Sequence, residues 1–317
     1  LGSTKMIWIS KECAKPSSNR CTKCSTHPEL GENYVDIIYR FDPFAKMEWK
    51  NPKNNKEALQ LLTTGNDRFA TVVAQMQSAS TGEKQHPPMI VPINPVKLGV
   101  PLVSGLEPAH SPFAMVLGCA DARVPVEHIL DCSANDLFVV RVAGNVLGTE
   151  CLGSVDYAAT HLKSSIRSGI VLGHTQCGAV TAAVDIYLAP AGFTEIASSH
   201  AVRSLVDRIM LSVRGAERAL ERVHGAKIQK HKRYREMLIT TATYLNAAVT
   251  AFDVQRELNA IGKGITVSYT VYEMAWSRVC ALPARTAEEA ASVQRFAPAP
   301  KDTDEFVTLS EKIFERL

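Results

Sequence analysis

Two short segments carry the residues best suited to chemistry, Cys119-Ala-Asp-Ala-Arg123 and His174-Thr-Gln-Cys177. Each follows an apolar run closed by glycine: Phe113-Ala-Met-Val-Leu-Gly118 before the first, Ile170-Val-Leu-Gly173 before the second. Runs of this kind read as buried strands. The segments therefore deliver sulfur, carboxylate and imidazole to the carboxyl ends of strands, where open α/β sheets hold ligands and metals. Two thiolates and one imidazole make a Cys₂His set, with a fourth position left for water or a carboxylate. Thiolate together with imidazole in a tetrahedral site favours Zn2+.

Asp121 and Arg123 lie two and four residues after Cys119. In an extended segment all three point to one side. Asp121 can then reach the metal or Arg123, and Arg123 can keep the carboxylate ionised and oriented. Cys177 falls in the first turn of a helix beginning at Gly178, where the partial positive charge of the helix end favours thiolate. Gly178 leaves room for a small substrate to approach the backbone.

The elements that must position these groups follow from periodicity. Strands are expected at 113–118, 137–141, 169–173 and 265–271, with helices at 124–131, 151–163 and 177–188. Their alternation predicts an α/β fold, a mostly parallel β-sheet flanked by helices. Leu59, Leu62, Asn66, Phe69 and Val73 recur at helical spacing and predict an N-terminal helical arm from Asn55, packed on another chain. Six prolines between Gly82 and Pro112 exclude a helix or central strand there and predict an extended crossing. A long C-terminal helical region, about 200–260, carries Leu205, Ile209, Val213, Leu220 and Val223 on one side. The expected organisation is an N-terminal extension at 1–54, a catalytic domain at 55–283 and a tail at 284–317 with an amphipathic helix around 303–317.

A net charge of +3 is too small to argue for nucleic acid, and no apolar run reaches the roughly 20 residues that span a bilayer. The first residues lack the basic segment and apolar core of a secretory signal. The eight cysteines are too dispersed for a disulfide framework. A reducing, cytoplasmic setting is expected. Cys13, Cys21, Cys24 and His27 could bind a second metal or be free thiols, because their spacing matches no standard finger. The basic run Lys227–Arg235 reads as a solvated face.

With these motifs in view, the chain resembles the β-class carbonic anhydrases from Glu57 to Val279, more than two thirds of its length. The resemblance runs through Gly65-Asn-Asp-Arg-Phe69, Cys119-Ala-Asp-Ala-Arg-Val-Pro125, Asp136-Leu-Phe-Val-Val-Arg-Val-Ala-Gly-Asn145, Val171-Leu-Gly-His-Thr-Gln-Cys-Gly-Ala-Val180 and Thr266-Val-Ser-Tyr-Thr-Val-Tyr-Glu273. It implies a zinc lyase, active as a dimer or tetramer, that reversibly hydrates CO2 to bicarbonate and a proton through zinc-bound hydroxide. Carried over by position, Cys119, His174 and Cys177 are the ligands, Asp121 and Arg123 a catalytic dyad, and His110, Phe138, Ala143 and Gly178 the substrate pocket.

This sequence departs from the family pattern in several places. Alanines 120 and 122 replace two serines, His110 stands for a glutamine, and Val142 and Ala143 replace pocket residues. His110 could shuttle protons, since imidazole exchanges them near neutral pH, or could only supply the glutamine's donor. Val116, where bicarbonate-inhibited members carry tryptophan, implies that Asp121 would ligate zinc only in a closed state absent near neutral pH. Two alternatives remain on the same residues: hydrolysis of carbonyl sulfide or carbon disulfide, and a catalytically weak sensing or binding relative.

Overall fold

The computed structural model describes residues 37–41, 51–81, 89–93, 105, 107, 109–190 and 199–317. Cys13, Cys21, Cys24 and His27, the candidate second metal set, lie outside the described residues. The chain forms two compact units, one of Leu1–Tyr39 with Ala74–Val91, the other of Arg40–Val73 with Pro92–Leu317. In chain order the first elements are β1 (Ile37–Phe41), α1 (Asn55–Ser80) and β2 (Met89–Ile93). Strands β1 and β2 pair as a two-stranded sheet. The proline-rich crossing thus contains a short strand, and Pro92 is tolerated because a two-stranded sheet has only edges.

The second unit holds the main sheet and the candidate ligand, dyad and pocket residues. Its elements continue with β3 (Ala114–Gly118), α2 (Val126–Ile129), β4 (Leu137–Arg141), a 3₁₀ turn at Ala143–Asn145, α3 (Thr149–His161), β5 (Ser168–His174) and α4 (Gly178–Leu188). They end with α5 (His200–His224), α6 (Tyr234–Ala260), β6 (Val267–Glu273), β7 (Arg278–Cys280), α7 (Ala287–Ser292), β8 (Ala297–Pro298) and α8 (Thr303–Phe314). The strand order is β4-β3-β5-β6-β7, with β8 also on β6. Strands β4, β3, β5 and β6 are mutually parallel, while β7 and β8 run antiparallel to β6. The fold class is α/β with a mostly parallel, helix-flanked sheet.

Strands β3 and β5 are buried at every position, which explains their unbroken apolar reading. Their side chains alternate between two cores. Met115, Leu117 and Val171 join the core shared with Val155, Val180, Ile209 and Leu245. Val116, Ile170 and Leu172 face Ala58, Leu62, Ile129 and Leu130.

The second core receives part of the first helix. Up to Val73, the apolar face of α1 packs on its own chain: Ala58 and Leu62 are fully buried, and Phe69 meets Tyr272 at 6.4 Å between ring centroids. Gly65 permits this approach, because a Cβ there would lie 2.0 Å from the Leu130 carbonyl oxygen. Asn66 then bridges elements rather than extending an apolar stripe. Its amide donates to Ile129 O and Ser277 O at 3.0 and 3.3 Å, and its oxygen accepts from Val279 N at 2.9 Å.

The long helical region at about 200–260 is built of two helices. Gly225 closes α5 with φ 74°, its N–H bonding Glu221 O at 2.7 Å, and a short 3₁₀ segment leads into α6. The left-handed glycine is a helix-end device that an apolar stripe running through it conceals. The stripe itself is real: Val206, Ile209, Val213, Ala216 and Leu220 are buried, whereas Val223 is exposed.

The last residue of β6 is a buried acid. Tyr244 donates its hydroxyl to the carboxyl of Glu273, a residue only 7% exposed. Burial raises Glu273 from its ordinary 4.5 to about 7, against a smaller downward pull from the Tyr244 hydrogen bond. A carboxyl raised on folding favours its protonated form in the fold. The stabilisation is therefore complete below pH 4.5 and lost as pH rises through about 7, roughly 3 kcal/mol across the window. Glu273→Gln keeps an acceptor for Tyr244 without the charge. In denaturant melts at pH 5, 6, 7 and 8 the parent should lose stability relative to this variant as pH rises. A constant difference across that range would contradict the assignment.

Candidate metal centre

The centre is assembled at the carboxyl ends of β3 and β5, which are adjacent in the sheet with Gly118 opposite Leu172. Cys119 is the first residue beyond β3, His174 is the last of β5, and Cys177 is the N-cap of α4. Gln176, at φ 58°, turns the chain between them. All three candidate ligands are buried, and their donor atoms lie within 4.8 Å of one another.

Local chemistry prepares these atoms for a cation. The ring nitrogen Nδ1 of His174 lies 2.9 Å from Thr175 O. That bond selects the Nδ1–H tautomer and leaves the Nε2 lone pair as a ligand. Nε2 is buried without a hydrogen-bond partner, a costly state that a metal bond would relieve. Cys119 Sγ accepts from Gly144 N at 3.3 Å. Its thiol is lowered, chiefly by the hydrogen bond with Cys177, against the opposing effect of burial. Cys177 is pushed up by the same partnership and by burial, although the N–H groups of Ala179 and Val180 at the start of α4 pull it down. Two thiols this close oppose each other's ionisation, and a divalent cation bound between them would favour the deprotonated form of both. The residues fit zinc.

Gly144 reaches Cys119 because the turn after β4 is left-handed, at φ 70° for Gly144 and 46° for Asn145. A Cβ on Gly144 would meet Ile209 Cδ1 at 2.8 Å. The consecutive Gly-Asn pair was the available sequence sign of this turn.

Asp121 and Arg123 stand together at the mouth. Arg123 donates Nε to Oδ1 at 3.0 Å and Nη2 to Oδ2 at 2.7 Å, and its own N–H to Oδ1 at 2.9 Å. Its Nη2 also reaches Gln176 O at 3.1 Å. The carboxyl is held well below the usual range, first by the Arg123 side-chain hydrogen bonds and against some desolvation. Oδ2 is 3.8 Å from His174 Nε2, so the carboxylate overlooks the donor cluster. No hydroxyl is needed for this geometry: alanines 120 and 122 are exposed, and Arg123 alone holds the carboxylate.

The four expected pocket residues divide into two places. Ala143 precedes Gly144, whose N–H meets the Cys119 sulfur, and Gly178 follows Cys177; both adjoin the ligands. His110 and Phe138 instead meet each other at 6.0 Å. Phe138 continues the ring string to Tyr157 at 6.4 Å, which stacks on His161 at 4.6 Å. Phe138 pairs with Met115, three residues before the end of β4 and so about 10 Å short of it.

A model of the carbonic anhydrase family matches residues 114–279, which include both motif segments. This chain belongs to the carbonic anhydrase family. "Carbonic anhydrase 2" of Mycobacterium tuberculosis is 36% identical over 163 residues, covering 50% of this chain and 65% of that protein. The carbonic anhydrase of Mycolicibacterium smegmatis is 40% identical over 142 residues, 44% of this chain and 64% of that protein. The chain thus spans slightly less than two thirds of the length of these curated relatives. A solved Coccomyxa beta-carbonic anhydrase in complex with acetazolamide is 20% identical, covering 70% of this chain and 84% of its own, with a TM-score of 0.40. Among the described residues, no helix is long and apolar enough to cross a membrane.

Proposed function

We propose that the chain catalyses the reversible hydration of CO2 to bicarbonate and a proton, as a zinc lyase. The observation that carries this reading is the buried Cys119, His174 and Cys177 cluster overlooked by an ionised Asp121 at 3.8 Å from His174 Nε2. Cys119, His174 and Cys177 would hold the zinc, which would supply acidification of water near neutral pH. Asp121 accepts a hydrogen bond from the attacking nucleophile and turns its lone pair towards carbon. Arg123 keeps Asp121 anionic and aimed. Ala143 and Gly178 leave room beside the ligands for a small linear substrate. Thiolate ligands require reduced cysteines, which supports a cytoplasmic setting.

The working unit is at least a homodimer. In its support, β4 ends the main sheet among the described residues, and it carries the Phe138 string beside exposed His110 and Tyr157, the latter 49% exposed. An aromatic row at a sheet edge suits a second copy of the chain, which would bring His110 and Phe138 to a neighbouring centre. Sedimentation at micromolar concentration should give a dimer or tetramer; a stable monomer would contradict this.

The substrate is tested by supplying zinc-loaded protein with CO2, carbonyl sulfide and carbon disulfide in parallel. Rapid acidification with CO2 and negligible sulfide release from the others is the expected pattern. Sulfide release with slow CO2 hydration would overturn it.

A further inference from the structure

Arg141, the last residue of β4, lies opposite Gly118 in the sheet. Its guanidinium donates Nε to Cys119 O at 3.0 Å and Nη2 to Asp121 O at 2.6 Å. One planar fork thus grips the peptide of a metal ligand and the peptide of the carboxylate that overlooks the metal. The neighbouring main chain adds Val142 N to Gly118 O at 3.0 Å and Ala120 N to Val142 O at 3.2 Å. Beyond Ala120 the ladder stops. The carbonyl of Asp121 is then held by Arg141 and by the turn bond from Val124 N, at 3.0 Å, while its main-chain N–H faces the Cys119 sulfur. Alanines 120 and 122 are exposed and supply no polar side chain to hold the segment.

We propose that Arg141 is a positioning residue for the reaction: it fixes the Cys119–Asp121 segment and thereby sets where the Asp121 carboxylate stands relative to the metal ligands. The proposal rests on the zinc-centre reading above. Arg123 governs the carboxylate end of Asp121, whereas Arg141 governs its backbone end. Both ends need fixing, because the carboxylate is only 3.8 Å from His174 Nε2. An anion beside a ligand of a bound dication would be drawn onto the cation unless held, and a displacement of about 1 Å costs a reaction heavily. Lysine does not replace the fork, since an ammonium lacks two rigid parallel donors.

The test is a double-mutant cycle with two readouts. Arg141→Ala should lower kcat/KM for CO2 by about tenfold or more, with zinc still near one atom per chain. In an Asp121→Asn background the same change should have an effect of about twofold or less, because the group it positions is already disabled. The visible bands of the cobalt(II) form should shift with Arg141→Ala in the parent and stay unchanged with it in the Asp121→Asn background. Arg141→Lys, with circular dichroism and metal content as checks of folding, covers the case in which the alanine variant does not fold; it should reproduce the loss and the shift. Equal losses in both backgrounds, or an unshifted cobalt spectrum in the parent, would overturn the proposal. A parent that takes up no cobalt would instead refute the metal centre on which it stands.

Discussion

Replacing Arg123 with alanine is expected to cut CO2 hydration by about 10²-fold or more while zinc stays bound. Arg123 supplies both side-chain hydrogen bonds to Asp121 and is the main reason its carboxyl sits so low. The variant keeps the Arg123 main-chain N–H on Oδ1 but frees Oδ2, which already lies 3.8 Å from His174 Nε2. The freed carboxylate would then compete for the cation rather than orient the nucleophile. Arg123 is half exposed, and exposed ion pairs contribute little to folding, so the melting curve should barely move. Asp121→Asn should also lose activity but leave the cation's open position alone. Near-normal hydration by Arg123→Ala would sink the dyad.

Cys177→Ser should have the second large effect, on metal content and stability together. A serine hydroxyl is not ionised near neutral pH and is a poor replacement for thiolate on zinc. Zinc should fall from about one atom per chain to well below it. Serine is, however, a good N-cap, so α4 should not be weakened by the exchange itself. Any loss of stability then reports the metal, whose ligation ties the end of β3 to the end of β5. The melting temperature of the variant should match that of the parent stripped by a chelator. A variant that kept its full zinc would refute the ligand assignment.

Much of this centre was legible in the sequence because few residue types bind a soft divalent cation. Glycine-closed apolar runs placed Cys119 and His174 at strand ends, and the His-Thr-Gln-Cys spacing put Cys177 at a helix start. Long-range geometry was harder to read. Asn66 looked like one more member of a helical stripe, yet it is a hydrogen-bond bridge to the β6–β7 turn and β7, and it belongs to a helix face buried on the same chain. Strands β7 and β8, of three and two residues, are too short for any periodicity to announce. Gly225 ended a helix inside a continuous apolar pattern. Arg141 entered the sequence reading only as part of a family motif, because its reach to the carbonyls of Cys119 and Asp121 depends on which strand lies beside β3. His110 and Phe138 illustrate the same limit: one chain brings them to each other, about 10 Å down the edge strand from its metal-facing end.

The most direct test of the central claim is stopped-flow CO2 hydration on one preparation, measured with zinc loaded, after chelation and after zinc is restored. The account predicts rapid hydration that disappears on chelation, returns with about one zinc per chain, and is absent throughout in Cys177→Ser. Zinc-loaded protein that hydrates CO2 no faster than buffer would contradict it.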